Sequence, residues 1–226
     1  LEAIWQKIET DNDVRAVVLS GSGEKAFCAG ADMKGGNALS GLGYWAHARP
    51  GGFGGLTLRK SLHVPVIARV NGLAVGGGFE LVLGCDIVIA AEHASFGLPE
   101  ARVGRMPLDG GMIVLPRMIP QKVAMGMLMT GNRISAQQAE SYGLVNEVVP
   151  NDELDAAIDR WVADILKCAP LSVKAIKESV KETIDLPVDE AMAKRLPSLV
   201  AALESEDADE GPLAFREKRA PNWKGR

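Results

Sequence analysis

Cysteine is scarce in this 226-residue chain, with only Cys28, Cys85 and Cys168. Three scattered thiols cannot make a disulfide framework or a closed metal site, which excludes the small stapled secreted classes and points to a reducing compartment, the cytoplasm. Histidine is as scarce: His47, His63 and His93 form neither HExxH nor any compact ligand spacing, so no metal is expected. Long apolar runs are missing too. The stretch from Leu73 to Cys85 is broken by Gly76, Gly77, Gly78, Glu80 and Gly84, well short of the roughly eighteen apolar residues a membrane-crossing helix needs. There is no excess of positive charge, since 25 Lys and Arg stand against 29 Asp and Glu for a net −4. No broad field is available to attract phosphate backbones, and nucleic acid is not an expected partner. GxxxxGK[ST], GxGxxG and GxSxG are all absent, which excludes P-loop, dinucleotide-fingerprint and nucleophile-elbow chemistry. The opening LEAIWQKIET lacks the charged, apolar and small-residue regions of a secretory signal.

What is present describes a globular chain, 47% hydrophobic and 24% charged, far from the composition of disorder. Leu1, Ile4, Trp5 and Ile8 fall three and four apart, so the sequence opens inside an amphipathic helix without a cap before it. That beginning predicts further natural sequence upstream. Val14 to Gly23 is a β-branched run closed by glycines, the pattern of a strand buried on both faces of a parallel sheet. Gly30 to Gly55 has many glycines and no sustained period, and reads as a long irregular segment lining a ligand cleft. Strand Pro65 to Val70, a helix in GGGFELVLGCD and strand Asp86 to Ala91 set an α/β rhythm. Helices are predicted at Gly111 to Met118 and Gln121 to Met129. Another starts at a Ser135 cap with Gln138 in capping-box position and ends at Gly143. A strand from Leu144 to Val149 follows, then helical segments near 152–168, 171–180 and 189–203, then a polar tail. A change of composition near Pro150 places a boundary there: an α/β core over 1–150 and a helical region over 151–226.

Glu80 and Glu100 are the leading candidates for chemistry, because GGGFELVLG and FGLPEARVG are apolar settings where an ionised carboxylate is costly. If both face one pocket, burial and mutual repulsion separate their titrations and suit one to act as base and the other as acid. The alternative is structural, with Glu80 paired to Arg69 and Glu100 capping a turn. Gly76 to Gly78 either present amide donors to an anionic ligand or permit a tight helix-to-sheet contact, and CAGAD from Cys28 to Asp32 offers a second backbone donor. Cys28, with no histidine near it in sequence, reads as a small buried thiol and not as a nucleophile. Met106, Met112, Met118, Met125, Met127 and Met129 either fill core or line an acyl pocket. Asp109, flanked by Leu108 and Gly110, either bonds local backbone or meets a polar group of a substrate. Tyr44, Trp45, His47 and Arg49 cluster in the irregular segment, placed to select the far end of a substrate.

KAFCAGAD (Lys25 to Asp32), PVIARVNGLAVGGGFELVLGCDIVIAAEHASFGLPE (Pro65 to Glu100) and TGNRISAQQAESYGLVNEVVP (Thr130 to Pro150) together resemble the crotonase, or enoyl-CoA hydratase/isomerase, superfamily. The resemblance covers almost the whole chain. It implies an α/β fold with a crotonase-like spiral ββα core, a helical carboxy-terminal trimerisation region and assembly as a homotrimer or homohexamer. It implies that Ala31 and Gly77 form an oxyanion hole for an acyl-CoA thioester, and that Glu80 and Glu100 are the paired catalytic glutamates of a hydratase in fatty acid metabolism. No prosthetic group is implied, because coenzyme A is part of the substrate. Contacts to it are implied for Lys25, Phe27, Ala29, Asp32 and Met33, and for Phe215 and Lys218 of the tail, these two acting from a neighbouring subunit. After Glu100, VGRMPLDGG departs from the family's glycine-rich continuation. Leu108 stands for a frequent glycine and Asp109 at a variable position, which opens the pocket candidates Tyr44, Trp45, Leu108 and Asp109 to a polar, carnitine-like acyl group. A double-bond isomerase of the same fold and a non-catalytic homologue are the competing readings.

Overall fold

The computed structural model describes residues 1–32, 40–47 and 49–226. The chain divides into two compact units, one of Leu1–Trp5, Val18–Arg59 and Val66–Ile158, the other of Gln6–Val17, Lys60–Pro65 and Asp159–Arg226. In chain order the elements are α1 (Glu2–Thr10), β1 (Val17–Ser20), β2 (Ala26–Cys28), α2 (Gly41–Ala46), β3 (Val66–Val70), β4 (Leu73–Val75), α3 (Gly77–Leu83), β5 (Ile87–Ala91), β6 (Ser95–Gly97), α4 (Gly111–Met118), α5 (Gln121–Thr130), β7 (Ile134–Ser135), α6 (Ala136–Ser141), β8 (Glu147–Val149), α7 (Leu154–Leu166), α8 (Pro170–Thr183), α9 (Val188–Ala193), α10 (Pro197–Leu203) and α11 (Glu206–Glu217). Short 3-10 turns stand at Phe53–Gly55, Glu100–Val103 and Asn151–Glu153.

Successive strands separate into two four-stranded sheets, ordered β1-β3-β5-β8 and β2-β4-β6-β7. From β1 to β6 each pass of the chain lays one strand in the first sheet, the next in the second, and then a helical segment: β3, β4 and α3, then β5, β6 and the Glu100–Val103 turn. The result is a spiral of ββα turns. Pairing is parallel between β3 and β5, with Ile67 opposite Ile87 and Val70 opposite Ala90, and parallel again for β5 with β8, β2 with β4 and β4 with β6. Antiparallel β7 completes the second sheet. The β-branched run of β3 suits a strand covered on both faces: Val66, Ile67, Ala68 and Val70 are fully buried. Phe79 of α3 meets Phe96 of β6 with ring centroids 5.5 Å apart, fixing the helix to the second sheet.

Several expectations are corrected. Val17–Ser20 alternates half-buried and exposed because β1 is an edge strand of its sheet. Of the strand expected over Leu144 to Val149 only β8 pairs, since Asn146 bonds through its side chain and amide to the Val88 backbone and turns the chain into register. The helical stretch at 189–203 breaks between α9 and α10, where Pro197 disfavours helix in the residue before it. The polar tail contains α11, started by a Ser205 hydroxyl that accepts from the Ala208 amide. Its buried Asp207 accepts from the amides of Lys224 (2.6 Å) and Gly225 (2.9 Å) and ties the terminus down. Within Gly30 to Gly55 the described residues include α2, capped by Ser40, and the Phe53–Gly55 turn. The capping box of Ser135 with Gln138 forms as read, and Gly143 takes positive φ after α6.

Candidate active site

In the first unit a cavity of about 1180 Å³ opens between the end of β2, the start of α3 and the turns at Glu100 and Asp109. Two chain reversals build its floor. Gly76, at φ 57°, caps α3 where β4 ends, and the Cβ that another residue would carry there would stand 3.2 Å from Glu100 Oε1. Gly30, at φ 87°, turns the chain out of β2 so closely that its own Cβ position is 3.2 Å from the Gly77 nitrogen. The CAGAD segment and the first amide of α3 therefore share one wall, and Ala29, Ala31, Asp32 and Gly77 all line the cavity. Gly78 answers to packing alone, since a Cβ there would lie 2.0 Å from the Cys28 carbonyl oxygen of β2. The tight-contact reading of the triple glycine thus applies at Gly78, while Gly76 and Gly77 line the cavity.

Glu80 and Glu100 line the same cavity. Glu80 lies on the buried face of α3, 3% exposed, and Oε1 accepts from the backbone amides of Asp109 (2.8 Å) and Gly111 (2.9 Å). The expected pair with Arg69 does not form: Arg69 bonds Asp155 instead, Nε to Oδ1 at 2.6 Å. Burial pushes the Glu80 carboxyl up to about 7 in spite of those two amide donors, which favour the anion, and the charges of Asp109 and Glu100 add to the rise. Glu100 begins its 3-10 turn half-buried. Burial raises its carboxyl as well, and its Oε2 is a buried oxygen with no partner among the described residues.

Asp109 is 5% exposed, and both of its oxygens are occupied. Oδ1 accepts from the Phe53 amide at 2.9 Å and Oδ2 from the Tyr44 hydroxyl, while Arg49 Nη2 lies 3.6 Å from Oδ2. The Arg49 guanidinium carbon sits 3.3 Å from the Tyr44 ring centroid. Burial and the Asp109 acceptor together push the Tyr44 phenol upward, so it stays a donor. The Asp109 carboxylate bonds residues distant in sequence and not the local backbone of its turn, and it lines the cavity. Trp45 and Leu108 line the cavity, as do Met106 and Met112. Met127 is core, and Met118, Met125 and Met129 are exposed.

Phe53 was not among the residues singled out. Its ring lies 2.9 Å from where a Gly77 Cβ would be, so it lines the cavity beside the start of α3. The available signal was a lone aromatic between glycine pairs, GGFGG, in a chain with five phenylalanines. Lys25 is exposed and Phe27 buried on β2, both outside the cavity lining. Met33 lies outside the described residues. Phe215 is exposed on α11 and Lys218 ends that helix at positive φ, both in the second unit. Among the described residues no group of three His, Cys, Asp or Glu side chains is arranged to hold a metal ion, and no helix is long and apolar enough to cross a membrane.

The family described as enoyl-CoA hydratase/isomerase matches residues 1–226. A carnitinyl-CoA dehydratase of Salmonella typhi is 45% identical over 96% of this chain and 84% of its own length. The carnitinyl-CoA dehydratase of Escherichia coli K12 is 44% identical over 99% of this chain and 86% of its own. Among solved structures, an enoyl-CoA hydratase from Bacillus anthracis superposes with a TM-score of 0.89 at 36% identity, over 99% of this chain and 86% of that one.

Proposed function

The chain belongs to the enoyl-CoA hydratase/isomerase family of the crotonase superfamily, and from that premise we propose that it is a lyase adding water reversibly across the 2,3 double bond of a 2-enoyl-CoA thioester. The observation that carries this reading is the pair of carboxyls with raised proton affinity, Glu80 and Glu100, facing one cavity whose wall contains the Gly77 and Ala31 backbone. An isomerase needs one proton shuttle. Two tuned carboxyls suit a reaction that moves a hydroxyl to one carbon and a proton to the next.

In the hydration direction the Glu80 carboxylate, fixed through Oε1, accepts a proton from water as the water oxygen bonds C3. The C2–C3 π electrons shift toward the thioester and place negative charge on its oxygen, which the Ala31 and Gly77 amides receive as hydrogen-bond donors. Glu100, protonated, delivers its proton to C2, and the thioester carbonyl reforms. Transfer of the proton held by Glu80 back to Glu100 resets the pair. Dehydration retraces the same steps. Removal of one oxyanion donor in such sites costs about 3 kcal/mol of transition-state stabilisation. Lys25, Phe27, Ala29, Asp32, Met33, Phe215 and Lys218 would hold the coenzyme A portion, the last two from a neighbouring copy in a homotrimer or homohexamer.

The identity to proteins named carnitinyl-CoA dehydratases supports a more specialised second reading, in which the acyl group is carnitine-like and the reaction runs as elimination of water. A panel of 2-enoyl-CoA esters with straight-chain, branched, aromatic and carnitine-like acyl groups, assayed in ¹⁸O-labelled water, tests both. The expected result is incorporation of ¹⁸O at C3, reduced by about 10²-fold or more in Glu80→Gln and in Glu100→Gln. Unchanged hydration in both folded variants, or double-bond migration without ¹⁸O, overturns the hydratase reading.

A further inference from the structure

Asp109 stands where three separately folded pieces of the first unit meet. Its backbone amide donates to Glu80 Oε1 on α3, at 2.8 Å. Its carboxylate accepts from the Phe53 amide of the 3-10 turn at 2.9 Å and from the Tyr44 hydroxyl on α2. α2 has six residues and none of them is buried, so it has no core of its own to hold it against the cavity. Its tie is the Tyr44 hydroxyl, reinforced by Arg49 lying over the ring. The Phe53 turn likewise gains its fixed point from an Asp109 oxygen, and the Phe53 ring packs against Gly77, 2.9 Å from where a Cβ would stand. One buried side chain thereby joins the wall of the cavity to the carboxylate proposed to handle water.

We propose that Asp109 is a positioning residue of this site: it holds Glu80 by its backbone while its carboxylate clamps α2 and the Phe53 turn to the same point, so that substrate wall and base are set together. The proposal rests on the hydratase reading for the role of Glu80, and the geometry of the clamp stands apart from it.

The clamp has an electrostatic consequence. The groups facing Glu80 are Asp109 from the turn before α4 and Glu100 from its 3-10 turn; Tyr44 and Arg49 act on it through Asp109, and β2 brings Cys28 beside Gly78. The charge on Asp109 makes Glu80 harder to ionise. Asp109→Asn keeps the shape and the acceptor for the Phe53 amide, faces the Tyr44 hydroxyl with an N–H donor that its oxygen can accept, and removes the charge. Tyr44→Phe keeps the charge and releases α2.

The test follows the Glu80 carboxyl by ¹³C NMR titration in ligand-free protein, together with pH profiles of kcat/KM. In Asp109→Asn the Glu80 midpoint and the acid limb of the profile are expected to move down by on the order of one pH unit. In Tyr44→Phe the midpoint does not fall, while KM rises several-fold because the wall is loosened. Asp109→Ala is expected to combine the downward shift with the KM defect, and Asn at that position restores KM. An unmoved Glu80 midpoint in Asp109→Asn overturns the proposal, as does unchanged KM in both Tyr44→Phe and Asp109→Ala. The hydratase reading fails separately, if the wild type hydrates no acyl-CoA of the panel, and the ligand-free titration still decides the role of Asp109 in that case.

Discussion

Keeping Glu80 in an apolar helix face sets stability against chemistry at a single residue. A carboxyl whose folded value is raised to about 7 from 4.5 binds its proton more tightly folded than unfolded. The fold therefore suffers nothing from it below about pH 4.5, loses stability as pH rises between 4.5 and 7, and carries the full penalty above 7, on the order of 3 kcal/mol. Glu80→Gln removes the titration while leaving an oxygen for the Asp109 and Gly111 amides. We expect the variant to be more stable than the wild type at pH 8 by up to about 3 kcal/mol and to match it near pH 4.5. Denaturant unfolding at the two pH values checks this, and a gain independent of pH would sink it. At this scale the sequence marked the unusual residues well, because charged or glycine positions inside apolar runs stand out: Glu80, Glu100, Asp109 and Tyr44 all reach one cavity. It did not show their partners. Asp109 meets Phe53 and Tyr44 across 56 and 65 residues of chain, and Arg69 finds Asp155 across 86, pairings that no local pattern encodes.

Single elements were legible where local chemistry decides them. The Ser135 and Gln138 box needs only four residues, and β3 declares itself through a short apolar run with Val66, Ile67 and Val70 interrupted only at Arg69. Elements decided by their neighbours were misread: β1 looks doubly covered by composition and is half-exposed at a sheet edge, and α11 reads as polar because few of its side chains are buried. The start of α3 shows how one sequence feature divides among tasks. Gly76 supplies the turn, Gly77 gives the Phe53 ring its place, and Gly78 lets the helix lie on β2. A methyl group at Gly78 would collide with backbone, which cannot swing aside as a side chain does, so helix or strand must shift. Gly78→Ala is expected to destabilise the fold by about 1–3 kcal/mol or more and to displace Glu80 and the Gly77 amide with the helix. A Gly78→Ala protein with wild-type melting temperature and activity would refute the assigned packing role.

Across the whole molecule, the alternation of consecutive strands between two sheets is the feature least visible in sequence, because β-strand patterns report burial and not which sheet a strand joins. The second unit raises a matching question of burial. Ile176 and Val180 of α8 and Ile184 at its C-cap fall four apart on a single face, and all three are exposed, as are Val188 and Met192 of α9 and Leu203 of α10. Such a set of apolar side chains in one unit is what self-association covers, and it supports the homotrimer or homohexamer proposed above. Sedimentation equilibrium should then give three or six times the 24.0 kDa of one chain. Ile184, 72% exposed, makes the cleanest test, since a charge there meets water in a lone chain and apolar surface in an assembly. Ile184→Asp is expected to keep the fold by circular dichroism while shifting the mass toward one chain. If Phe215 and Lys218 serve a neighbouring copy, the same variant also weakens acyl-CoA binding, with the effect fading as protein concentration rises. A wild-type mass of one chain, or an Ile184→Asp protein that assembles as the wild type does, would remove that face from the interface.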